Sequence, residues 1–97
     1  MSDDGEARRA ERLRGDIADI ATRQKQVRFE EIRSIVNRLG EFMEVGSRSI
    51  THGTLFTVGT ERFSIVSHNR GDSHLKRAYV KSFLEAMARL EWFEDEE

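Results

Sequence analysis

Apolar residues recur at helical spacing in three stretches of this 97-residue chain, and at a shorter period between the second and the third. Over residues 6–22, Ala10, Leu13, Ile17 and Ile20 fall on one face, with arginines and aspartates on the other. That spacing predicts an amphipathic helix. Its apolar stripe is narrow and needs a partner, either the main domain or another chain. Gly15 lies within it and costs about 1 kcal/mol relative to alanine. The polar residues 22–27 read as a connector. Phe29, Ile32, Val36 and Leu39 then form a second helical face. Glu30 and Glu31 sit in its first turn, where the helix dipole favours negative charge. Gly40 follows and suits the left-handed position that ends a helix.

Beyond Gly40 the period changes. Residues 42–45 read as a short strand. Residues 46–53 read as a polar, flexible loop carrying Ser47, Arg48, Ser49, Thr51 and His52. The stretches 54–58 (TLFTV) and 62–66 (RFSIV) are rich in β-branched and aromatic residues and predict strands. Gly59, Thr60 and Glu61 between them suit a tight hairpin, with either a two-residue turn or a three-residue loop. Residues 67–72 read as a loop, and Asp72 or Ser73 as the cap of a long helix. Leu75, Tyr79, Phe83, Ala86, Met87 and Leu90 mark its buried face, and Trp92 and Phe93 a C-terminal packing anchor.

The expected class is α+β: a two-layer α-β-β-β-α domain with its helices on one face of three antiparallel strands, preceded by an extra N-terminal helix. Its bounds read as residues 26–93, with a helical extension over 1–25 and an acidic tail over 94–97. This is the topology of double-stranded RNA-binding domains, which grip A-form RNA by its shape, its 2′-hydroxyls and its phosphates.

Charge sharpens the picture. The formal net charge is −2, but it is unevenly spread. Residues 1–60 balance. Arg62, Arg70, Lys76, Arg77 and Lys81 outweigh Glu61 and Asp72 over residues 61–82, whereas Glu91, Glu94, Asp95, Glu96 and Glu97 crowd the end. The body is therefore mildly basic, and the terminal carboxylates read as a solvated tail. Arg70, Lys76, Arg77 and Lys81 form a patch of the kind that supplies non-specific nucleic-acid affinity through phosphate contacts.

The chain has no cysteine, hence no disulfide framework and no thiolate metal site. The charged N-terminal segment lacks the apolar core of a secretory signal. No apolar run approaches the roughly 18–20 residues of a membrane span. The expected location is the cytoplasm, without a membrane partner and without a cofactor.

Three histidines are candidates for proton transfer near neutral pH: His52, His68 and His74. Ribonucleolytic cleavage can use the RNA's own 2′-hydroxyl as nucleophile. One placed acid or base and cations on the phosphate then suffice. His52 lies in the polar loop before the hairpin, His68 after the last strand and His74 in the expected first turn of the last helix. Their spacing fits no common zinc pattern.

RQKQVRFEEIRSIVNRLG, THGTLF and RFSIVSHNRGDSHLKRAYVKSFLEAM together resemble the HicA family, small ribonuclease toxins of type II toxin–antitoxin systems. The similarity runs over residues 22–90. Its most specific part is the start of the last helix, where Leu75, Lys76, Tyr79, Val80, Lys81 and Leu84 match. The family carries Gly-Ser-His-His or a near variant before a strand; here an ungapped match on Phe56 leaves His52 one place early. The family's Pro-x-His after the third strand reads Val66-Ser67-His68. The resemblance implies a double-stranded-RNA-binding-like fold and an endoribonuclease acting on mRNA. It further implies His52 as general acid or base, and Arg48, His68, Arg70, Lys76, Arg77 and Lys81 as RNA contacts. A HicB-like antitoxin would be the protein partner. The alternative is a non-catalytic module that binds RNA or protein and keeps only the fold.

Overall fold

The structure is a computed structural model and describes residues 2–66 and 74–94. His68, Arg70 and the expected caps Asp72 and Ser73 lie outside the described residues, as do residues 95–97 of the acidic tail. Three helices accompany one antiparallel sheet: α1 (Ser2–Ala21), α2 (Phe29–Leu39), β1 (Val45–Ile50), β2 (Gly53–Val58), β3 (Glu61–Val66) and α3 (Arg77–Arg89). The strands lie in the order β1-β2-β3. Mixed α and β structure with helices packed on one side of the sheet is therefore established.

Alternation along the strands assigns the two faces of the sheet. Phe56 pairs with Phe63, and both are buried, as are Val58 and Ile65. The Phe63 ring meets Phe83 of α3 edge-on at 5.6 Å. The Phe56 ring lies 5.8 Å from Phe29 of α2. Both helices thus cover the same side. Burial of each large apolar side chain there stabilises by about 1.5–3 kcal/mol.

The first helix is part of this core. Leu13, Ile17 and Ile20 are buried in the same cluster as Ile32, Val36 and Leu39, so the narrow stripe finds its partner on the main domain. Ion pairs flank the seam: Asp16 with Arg38 at 2.7 Å and Arg9 with Glu41.

Four local expectations are corrected. The strand expected over 42–45 starts later, because the chain keeps turning after α2: Phe42 N–H donates to Leu39 O at 2.9 Å, and Met43 N–H to the same oxygen at 3.1 Å. Most of the expected 46–53 loop is strand β1. Its residues 46–49 are all exposed, so the strand is held by pairing with β2 rather than by its own burial, and no period-2 signal marks it. Gly40 is right-handed (φ −59°, ψ −17°). The residue that ends a helix in the left-handed region is Glu91 after α3 (φ 65°). There Trp92 N–H donates to Met87 O at 2.8 Å and Glu91 N–H to Ala88 O at 3.0 Å, the paired bonds of a Schellman motif. Finally, α3 begins at Arg77, with Lys76 extended and no side-chain cap. Leu75 N–H is drawn outward to Val27 O at 2.7 Å, so His74 precedes the helix instead of lying in its first turn.

The β2–β3 hairpin takes the two-residue alternative. Val58 pairs with Glu61 across Gly59 and Thr60, and Gly59 has φ 59°.

Candidate functional site

The strand register fixes which groups share one end of the domain. Arg89 near the end of α3 pairs with Glu61 at the start of β3 at 2.6 Å. The helix therefore begins where β3 ends. Val66 at that end pairs with Gly53, which pairs in turn with Ile50. The Thr51-His52 turn between β1 and β2 consequently lies at the same end as His74, Lys76 and Arg77. The 22–28 connector joins them through the Leu75 N–H to Val27 O bond, and Arg77 Nε donates to Gln24 Oε1 at 3.3 Å.

His52 is exposed and holds a left-handed backbone, φ 64°. Histidine tolerates that region better than most residues, but the conformation still costs about 1–2 kcal/mol. The tightness of the turn sets it. The next residue, Gly53, packs so closely on β3 that a Cβ there would run into Ile65 O and lie 2.9 Å from Val66 Cα. The backbone that carries the side chain at the tip of the turn is therefore tightly held on its Gly53 side.

Cations dominate this end. Lys25, Arg28, Lys76, Arg77 and Lys81 are exposed. Arg23 is neutralised, donating to Asp19 at 2.9 Å and to Glu31 at 2.6 Å. The Arg23 hydrogen bond holds the Glu31 carboxyl below its ordinary range, with further help from Arg28 N–H and against partial desolvation. Glu31 in turn caps α2 by accepting from Arg28 N–H at 3.0 Å.

A shallow cavity of about 390 Å³ opens between the connector and Arg77. A second, of about 610 Å³, continues from Thr22, Gln24 and Arg77 past Lys81 to Glu85, Phe93 and Glu94. The groove is basic at the His52 end and acidic at the other. Such a gradient orients an anionic chain toward the Arg77 end.

The site residues expected from sequence that lie among the described residues separate into two groups. His52, Lys76, Arg77 and Lys81 belong to the end just described. Arg48 does not: it pairs with Leu55, which pairs with Ser64, and these positions alternate with the buried Phe56 and Phe63. Arg48 therefore stands on the side of the sheet away from the helices. Lys25 and Arg28 were missed as partners of the patch. They are plain cations in a polar connector, and only the tertiary contacts of Leu75 with Val27 and of Arg77 with Gln24 bring them to α3.

Among the described residues no three His, Cys, Asp or Glu side chains gather as metal ligands. No described helix is long and apolar enough to cross a membrane. Compared with protein-family models, curated proteins and solved structures, the chain matches none.

Proposed function

We propose that the chain is a HicA-like RNA-binding endoribonuclease, with His52 as general acid or base and Lys76, Arg77 and Lys81 on the RNA phosphates. What carries the reading is one relationship: the turn bearing the exposed His52 lies at the same end of the domain as the basic start of α3. Lys25 and Arg28 extend that surface.

The chemistry needs no cofactor. The RNA 2′-hydroxyl attacks the adjacent phosphorus, and the bond from phosphorus to the 5′-oxygen breaks. A proton leaves the 2′-oxygen and another reaches the departing 5′-oxygen, and His52 serves one of those transfers. Cations hold the phosphate and offset the negative charge that builds on its oxygens. An antitoxin of HicB type would silence the protein by covering this end.

The test is cleavage and binding of single- and double-stranded RNA by the wild type, by His52→Ala and by the Lys76→Ala/Arg77→Ala/Lys81→Ala triple variant. The expected result is cleavage by the wild type alone, with His52→Ala still binding. The triple variant should bind more weakly and with a shallower salt dependence. Equal cleavage by His52→Ala removes that histidine from the mechanism. Salt-dependent binding without cleavage leaves the non-catalytic module, and absence of binding overturns the whole reading.

A further inference from the structure

We propose that the face of the sheet opposite the helices is a protein-docking surface whose partner presents apolar side chains ringed by carboxylates. The face is distinct from the basic end to which RNA is assigned, and the inference does not depend on that assignment.

The register lays the face out completely. One row is Gly46, Thr57 and Arg62, the next Arg48, Leu55 and Ser64, and the last Ile50, Gly53 and Val66. All three helices lie on the opposite side, and no described element covers these residues. A sheet with one solvated face ordinarily alternates apolar inward with polar outward. Here Leu55 occupies the centre of the outward face, and Ile50 and Val66 flank Gly53 beside it. All three apolar side chains are half-buried.

Charge identifies the occupant. The nine positions carry Arg48 and Arg62, both exposed, and no carboxylate. Neither arginine has a hydrogen bond or ion pair among the described residues, as is also true of the exposed Arg8, Arg12 and Arg33 elsewhere. A second copy docked face to face would bring arginines against arginines, and like charges at an interface disfavour that pairing. A nucleic-acid strand would find two cations but no aromatic ring on which to stack a base, and its phosphates would leave Leu55, Ile50 and Val66 uncovered. A protein segment with apolar residues at its centre and Asp or Glu at its margins satisfies both features, with arginine in its favoured interface role.

The probe is a displayed library of random dodecamer peptides, selected on the full-length protein and rescreened on Arg48→Glu/Arg62→Glu. That surface variant leaves the core untouched, and circular dichroism checks its fold. The expected consensus combines apolar residues with Asp or Glu, and its binding falls at least tenfold on the variant. Leu55→Ser should lower it similarly. A consensus without carboxylates, binding indifferent to the variant, or no enrichment overturns the proposal. So does perturbation of the Arg48, Leu55 and Arg62 amides by an RNA dodecamer in NMR titration. Concentration-dependent self-association abolished by Arg48→Glu/Arg62→Glu would assign the face to a second copy and overturn it as well. RNA cleavage or binding at the His52 end, intact or lost, leaves these outcomes unchanged.

Discussion

The Arg14 guanidinium lies 4.5 Å from the centre of the Trp92 ring and donates from Nη1 to the Glu91 carbonyl oxygen at 2.7 Å. One side chain of α1 thus ties the first helix to the turn that ends the last. Phe42, 5.2 Å from the same ring, backs Trp92 from the end of α2. Three segments remote in sequence meet at this indole, opposite the end that carries His52.

Replacing Arg14 with alanine removes a cation–π contact worth about 0.5–1 kcal/mol at an exposed site and a charged hydrogen bond of similar net value. Urea unfolding should show a loss of about 1–2 kcal/mol. Arg14→Lys should recover only part of it, because lysine lacks the planar fork that stacks and donates at once. A wild-type midpoint for Arg14→Ala would show that the junction contributes nothing.

Gly15 is a stabilisation opportunity. It lies in the interior of α1, is exposed, and a Cβ there meets nothing within 4 Å. Gly15→Ala should add about 1 kcal/mol. For a domain of this size that raises Tm by roughly 4–8 °C, readable by calorimetry.

Glu91 offers the complementary test. It holds φ 65° in the Schellman position where glycine is usual. Its hydrogen bonds there are made by the backbone N–H and carbonyl. Glu91→Gly keeps both and relieves the left-handed strain, so unfolding should be harder by up to about 1 kcal/mol. A loss of stability would mean that the carboxylate itself is holding the turn.

Gly53→Ala should do the opposite. The new Cβ would strike the β3 backbone at Ile65 and Val66, which cannot yield as a flexible side chain would. We expect a loss of about 1–3 kcal/mol, with hydrogen exchange accelerating first at the Thr51-His52 turn and the end of β3. Any RNA cleavage by His52 should fall with it, even at temperatures where the variant remains folded.

Acid should weaken the junction of α1, the connector and α2. Arg23 holds the Glu31 carboxyl below its ordinary range. The folded state therefore binds fewer protons than the unfolded chain as pH falls through the carboxylate region. The pair's contribution is complete above the ordinary glutamate range and is lost as pH drops below it. Because the Glu31 side chain is 35% exposed, water screens the pair and the effect should stay under about 1 kcal/mol. Stability measured from about pH 6 to about pH 3 should fall less steeply in Glu31→Gln than in the wild type.

Some of this was legible in the chain. The apolar spacing of Leu13, Ile17 and Ile20, of Ile32, Val36 and Leu39, and of Phe83, Ala86 and Met87 each marks a face buried by local helical geometry, and each is buried. The 54–58 and 62–66 strands and their glycine turn were equally plain, because alternation and turn chemistry are local. β1 was not legible, since an exposed edge strand buries too little to leave a period. The start of α3 was misplaced because a remote acceptor, Val27 O, takes the Leu75 N–H and delays the helix.

The sequence by itself determined three amphipathic helices, a central hairpin and a basic stretch around Lys76, because spacing and charge act over a few residues. Only the tertiary structure decided which side of the sheet each side chain occupies. A strand reverses its side chains at every residue, so the face of Arg48 depends on its register with Leu55, set by β2 rather than by its own neighbours. That register places His52 at the end where α3 begins, and it sends Arg48 to the face opposite the helices with Leu55 and Arg62.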